Sequence, residues 1–231
     1  METTPTLEIS PEKMDFRAYS ISWNLTKRCN LNCDHCYLDA EFRGGLKTDE
    51  LNTEECFKVI DQIAEVNPNA FLILTGGEPL LRPDIYEIIR YAADRKFMVV
   101  LGTNGTMINR VNAEKIKAAG AHGVGISIDS MNPDKHNKFR GVDKAWELSM
   151  DAFDILNEVG VDFLVQMSVS DMNYKEIPEV VEFTEKIGAI AFNLYFLVCT
   201  GRGQGNTDIS NAAYEEALKM LYEQQMKYKG K

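Results

Sequence analysis

An α/β fold on a parallel sheet follows from two observations. Short apolar, β-branched runs recur six times after residue 20, and stretches with helical spacing separate them. A third observation refines this: the runs are almost continuously apolar, as strands are when helices cover one face and a barrel interior or ligand the other. Two architectures satisfy the pattern, an open doubly wound sheet and a curved (β/α)6 partial barrel, and periodicity alone does not separate them. In either, function belongs at the carboxyl ends of the strands.

The elements run in order. The strands are read at "ISWNLT" (21–26), "FLILTGG" (71–77), "FMVVLGTNG" (97–105), "VGISIDS" (124–130), "FLVQMSVS" (163–170) and "IAFNLYFLV" (190–198). After the first, residues 53–66 place Phe57, Ile60, Ile63, Ala64 and Val66 at steps of three and four, with Asn52 as N-cap. Gly120, Gly160 and Gly188 each end a helical stretch, where a left-handed C-terminal cap is expected. From Asn211 a last helix sets Tyr214, Leu218 and Leu221 on one stripe. Residues 1–19 read as a lead-in and 20–231 as one domain.

Composition bounds the function. Of the 231 residues 45% are apolar, enough for a packed core, and the formal charge of −10 argues against nucleic acid, which selects basic faces. No apolar run approaches the roughly 20 residues of a membrane span. "METTPTLEIS" lacks the basic and apolar regions of a signal peptide. A cytosolic setting follows, where clustered thiols point to metal or redox chemistry rather than disulfides.

Three of five cysteines stand in "RCNLNCDHCYLDA", directly after the first strand: Cys29, Cys33 and Cys36. Structural zinc needs four ligands, and His35 stands too close to Cys36 to join easily. Three thiolates on a four-iron cube leave one iron open, as catalytic metals keep a vacant position. Here the sequence resembles the radical S-adenosylmethionine (SAM) enzymes, whose signature is Cys-x-x-x-Cys-x-aromatic-Cys, with His35 in the aromatic slot before Cys36 and Tyr37 after it. The resemblance covers residues 20 to 200. It implies the partial (β/α)6 barrel and a [4Fe-4S] cluster whose open iron is chelated by SAM. It also implies reductive cleavage of SAM to methionine and a 5′-deoxyadenosyl radical that abstracts hydrogen from a substrate.

The resemblance assigns further residues. "TGGEPLL" carries Gly76, Gly77, Glu78 and Pro79, matching the motif that receives the methionine amino group; two glycines also allow a ligand close to the backbone. Thr103 and Asn104 end the third strand, with an ordinary turn as the rival reading. Ser127 and Asp129 end the fourth and share a face. Ser127 and Arg140 fit positions that meet the SAM carboxylate and ribose, a surface ion pair being the alternative for Arg140. Gln166 suits ribose or substrate, or a structural hydrogen bond, and Leu197 adenine or the core.

For substrate, "YFLVCTGRGQGN" resembles the radical SAM enzymes that trim tetrapyrrole side chains in alternative haem biosynthesis and nitrite-reductase haem assembly. Arg202 is then a carboxylate clamp and Cys199 a residue at the rim, inert or in contact with substrate. Cys56 is core. The runner-up is a maturase acting on a peptide; a non-catalytic electron-transfer protein would need a fourth thiolate and no SAM pocket. Such relatives carry a cysteine-rich C-terminal extension, and this chain has too few cysteines left for a second cube. Electrons come from a ferredoxin or flavodoxin, docking on a basic patch around Lys27 and Arg28.

Overall fold

The computed structural model describes residues 20–42, 50–205 and 209–229; the lead-in, 1–19, lies outside them. Strand β1 (Ser20–Asn24) runs into a loop holding two very short strands, β2 (Arg28–Cys29) and β3 (Glu41–Phe42), which pair with each other. Then come α1 (Thr53–Val66), β4 (Phe71–Thr75), α2 (Ile85–Asp94), β5 (Met98–Thr103), α3 (Arg110–Ala118) and β6 (Gly123–Ser127). Next are α4 (Pro133–Arg140), α5 (Ala145–Val159), β7 (Phe163–Val169), α6 (Ile177–Lys186), β8 (Ala191–Phe196) and α7 (Asn211–Lys227).

The sheet order settles which architecture this is. Six parallel strands lie in the order β1-β4-β5-β6-β7-β8, with no reversal. A doubly wound sheet reverses its order and covers both faces with helices. An unreversed run of right-handed crossovers puts the helices on one face and leaves the other to curl inward, as in a partial barrel. Burial agrees: Leu72, Leu74, Val99, Leu101, Val124, Ile126, Val165 and Met167 are fully buried beneath the helices. Their alternates, Ile73, Thr75, Ser127, Gln166 and Ser168, are only half-buried and line the inner face.

Local signals explain the boundaries. Asn52 accepts from Glu55 N while the Glu55 side chain returns to Asn52 N, a reciprocal cap at the start of α1. Gly120, Gly160 and Gly188 sit at φ 87°, 72° and 78°, the left-handed closure their positions imply. Val66, assigned to the buried stripe of α1, is exposed because the helix turns it outward at its last residue. The stripe of α7 is likewise reversed. Tyr214 and Leu218 are exposed, and Ala213 and Ala217 pack inward, because small residues let α7 lie close against α6. α4 was no part of the expected alternation. It is a short, polar helix whose buried residues, His136, Phe139 and Arg140, face the cysteine loop rather than the main core. Among the described residues, no helix is long and apolar enough to cross a membrane.

Candidate functional site

The loop after β1 folds on a small core of its own. Cys29, Leu31, Cys33, Ala40 and Ala145 are buried together, with Cys36, Leu38 and Val142 against them. Six neighbouring residues pin it. Gly77 N and Glu78 N donate to Thr26 O (2.7 Å) and Arg28 O (2.8 Å). Asn32 N and Asp34 N donate to Arg140 O and Phe139 O, both at 3.1 Å. Asn30 and Asn104 join at 2.8 Å, and Asn30 reaches Thr106 Oγ1 at 2.7 Å.

Each cysteine sulfur has a donor directed at it. Leu31 N lies 3.4 Å from Cys29 Sγ, and Ala40 N lies 3.3 Å from Cys36 Sγ. Arg140 Nη1 stands 3.9 Å from Cys33 Sγ, and Asn104 Nδ2 4.0 Å from Cys29 Sγ. Donors around a sulfur favour its thiolate. Burial pulls the other way: it pushes the Cys29 thiol up to about 12, and the nearby Glu78 and the other two cysteines add to that. Cys33 is raised too, by burial working against Arg140. Thiols in this setting hold their protons until a cation displaces them. Among the described residues, no three His, Cys, Asp or Glu side chains converge on one point as the ligands of a single ion would. Three thiols, each with its own donor, could hold three irons of a cluster.

His35 stacks on Phe139, ring centroids 4.0 Å apart and 12° from parallel, so an imidazole fills the slot an aromatic ring fills elsewhere. Burial lowers its pKa to about 4, and its Nδ1 is buried with no hydrogen-bond partner. Tyr37 is largely exposed and donates its hydroxyl to Asn24 Oδ1 at 2.9 Å, at the site's edge.

The Gly-Gly-Glu-Pro stretch is packed against the start of the cysteine loop. The close approach its glycines allow is to the chain's own backbone: a Cβ at Gly76 would overlap Thr26 O, and one at Gly77 would overlap Arg28 O. Glu78 is fully buried, and protein donors take up its carboxylate. Thr103 Oγ1 stands 2.8 Å from both oxygens, with Leu80 N and Asn104 N at 3.0 Å. Burial raises the Glu78 pKa, opposed by those donors. The side chain therefore ties the end of β4 to the end of β5. Pro79 begins a buried 3-10 turn behind it. Thr103 and Asn104 serve the same lock, and Asn104 carries it to the cysteine loop.

Asp129 and Arg140 do come together, but with each other. Asp129 is fully buried, Oδ2 lies 2.6 Å from Arg140 Nη2, and Oδ1 accepts from Ser168 N at 3.0 Å. Burial would raise the Asp129 pKa; Arg140, His35 and His136 overbalance it and hold it below the usual carboxylate range. The expected free fork on Arg140 is thus occupied on one side by Asp129. Ser127 and Gln166 are opposite: adjacent in register on the inner face, half-buried, and without a side-chain hydrogen bond among the described residues. Asn193 follows Gln166 in register and was not singled out from the sequence. Leu197 is buried where β8 ends, its N bonded to Val169 O at 2.9 Å.

Arg202, expected at the substrate, is engaged by the cysteine loop: Nε donates to Cys33 O (3.1 Å), and Nη1 to Ala40 O (2.5 Å) and Asp39 Oδ1 (3.2 Å). Arg28 is no docking residue. It is buried, with Nη2 3.4 Å from Glu50 Oε2, leaving only Lys27 of that pair exposed. Cys199 is half-buried beside this loop, and Cys56 is core as expected.

Comparison with known proteins follows the geometry. Residues 23–184 match the model of the radical SAM superfamily. The chain is 40% identical over 209 residues to the AdoMet-dependent heme synthase of Methanosarcina barkeri, covering 90% of this chain and 59% of that protein. It is 32% identical over 206 residues to the pre-heme d1 synthase of Dinoroseobacter shibae, covering 87% and 49%. The chain thus spans about half to three fifths of such relatives' length. Among solved structures, Streptococcus suis SuiB bound to S-adenosylmethionine matches with a TM-score of 0.75 at 16% identity, over 92% of this chain and 48% of that one.

Proposed function

Because this chain belongs to the radical SAM superfamily, we propose that it is the radical-generating core of an enzyme that decarboxylates or deacetylates side chains of a sirohaem-derived tetrapyrrole in haem biosynthesis. Enzymes of this superfamily use a [4Fe-4S] cluster and SAM. Cys29, Cys33 and Cys36 would hold the cluster. The observation that carries this is the buried loop in which each of three thiols has its own donor. Bound there, the cluster and SAM supply a 5′-deoxyadenosyl radical that takes hydrogen from the substrate.

This chain's residues perform the remaining work. Main-chain groups of Gly76–Glu78 lie beside the loop and suit the SAM amino group, since the Glu78 carboxylate is already engaged. Ser127 and Gln166 offer unengaged polar groups on the inner face to ribose and carboxylate. Arg140 stays cationic between Asp129 and Cys33, where it offsets thiolate charge. The substrate assignment is supported by relatives named as haem-pathway synthases. A low-potential ferredoxin or flavodoxin supplies electrons.

Anaerobic reconstitution is expected to yield about four irons and four sulfides per chain. Reduction with SAM should then release 5′-deoxyadenosine, and a sirohaem-derived substrate should lose the mass of carboxylate or acetate groups. Absence of 5′-deoxyadenosine sinks the chemistry. Its formation with an unchanged tetrapyrrole, beside a modified leader peptide, sinks the substrate and favours a peptide maturase.

A further inference from the structure

The cysteine loop leaves β1, the first strand of the sheet, whereas Arg202 follows β8, the last. These are the two open edges of the half-barrel, and yet they meet. Arg202 reaches three successive parts of the loop: Cys33 O through Nε, and Ala40 O and Asp39 through Nη1. Its own N donates to Cys36 O at 3.0 Å. The preceding Gly201, at φ 57°, has no room for a Cβ, which would meet Cys36 O at 2.5 Å and Tyr37 O at 2.7 Å. A guanidinium sets separate nitrogens of one rigid plane on Cys33 O and Ala40 O, whereas the ammonium of a lysine at 202 would have to serve both carbonyls from a single nitrogen.

The geometry points to Arg202 as a positioning residue, the clasp that closes the open edges of the half-barrel by fixing the cysteine loop to the end of β8. It acts through the carbonyls of the loop and touches no reacting atom. The inference rests on the cluster reading for its consequence: thiols on a clasped loop keep their spacing, and their iron is released slowly. The carbonyls of Cys33 and Cys36 belong to two of the three proposed ligands, so loosening the clasp moves those sulfurs and leaves the barrel intact.

The test compares Arg202→Gln, Arg202→Lys and the parent chain, each reconstituted, by iron release to a chelator and by hydrogen exchange. Losing the fork is expected to speed iron release about tenfold in both variants. Exchange should rise in residues 33–40 and not in the helices packed on the sheet. Unchanged release and exchange in Arg202→Gln overturn the clasp. So does Arg202→Lys behaving as the parent, which would make the effect one of charge, and so does faster exchange throughout the chain, which would make it general stability. If the parent binds no iron, the proposed function fails, while exchange of 33–40 in the cluster-free chain still reads the clasp by itself.

Discussion

Asp129 and Arg140 form an ion pair with almost no exposure, Oδ2 to Nη2 2.6 Å, and the same guanidinium stands 3.9 Å from Cys33 Sγ. A buried pair is costly to desolvate but far costlier to break, because the surviving charge is left without a partner. Asp129→Asn keeps the shape and the acceptor for Ser168 N but removes the countercharge. Its expected cost is about 3 kcal/mol of unfolding free energy, read from urea midpoints. A loss below about 0.5 kcal/mol, the usual scale for an inconsequential surface change, would show that Arg140 does not depend on Asp129.

His136 predicts an acid limit. Burial, with Arg140 adding to it, lowers its pKa from 6.5 to about 4, and Nδ1 accepts from Asp129 N at 3.2 Å. The unfolded chain therefore binds a proton between those values that the folded chain refuses. Stability from this group is complete above about pH 6.5 and is lost as pH falls toward 4, by up to about 3 kcal/mol. Asp129, held low by its cationic neighbours against the burial that would raise it, loses stability in the same direction at lower pH. His136→Gln should flatten the slope of urea stability between pH 7 and 5 by about half, His35 carrying the rest through the same shift. An unchanged slope assigns it to His35 alone.

Glycine positions give a matched pair. A Cβ at Gly77 would overlap Arg28 O, so Gly77→Ala must push the cysteine loop off β4. Gly188 has a φ of 78° but nothing within 4 Å of a Cβ, so Gly188→Ala meets only the strain of a left-handed residue, about 1 kcal/mol. Iron per chain should fall to a small fraction in Gly77→Ala and stay at the parent value in Gly188→Ala, with far-ultraviolet circular dichroism alike in both. Full iron in Gly77→Ala would mean the loop does not need that approach.

The strands and caps were legible because they rest on local rules: alternation, apolar runs, Asn52 before α1, glycines after helices. The cysteines were legible because their spacing is a chemical constraint. What escaped depends on partners distant in sequence. Nothing near Glu78 announces that Thr103 and Asn104 will consume its carboxylate. Arg202 looks like a free cation in a glycine-rich loop until the sheet curls and carries it to Cys33, 169 residues away. Arg140 shows the same limit: a fork suited to carboxylates was foreseen, and the carboxylate it found is Asp129. The sequence of α7 misled for another reason. Its large residues form a stripe, but its alanines pack, since close approach to α6 outweighs side-chain area there.

Ser127 and Gln166 separate binding from folding. They are register partners on the inner face, half-buried, with no side-chain hydrogen bond among the described residues. Removing a side chain that bonds nothing among the described residues should leave stability within about 0.5 kcal/mol. If SAM occupies that face, each loses one hydrogen bond to it, about 1 kcal/mol or a five- to tenfold weaker affinity. Ser127→Ala and Gln166→Leu are therefore expected to raise the KM for SAM and leave iron content and urea midpoints at the parent values. Gln166→Leu carries its own control. The Gln166 amide packs directly over Gly125, where a Cβ would come within 3.0 Å of it, and leucine of similar volume covers the same glycine while both polar atoms go. A variant that loses stability and keeps its SAM affinity would assign the residue to the wall of the barrel instead of the cofactor.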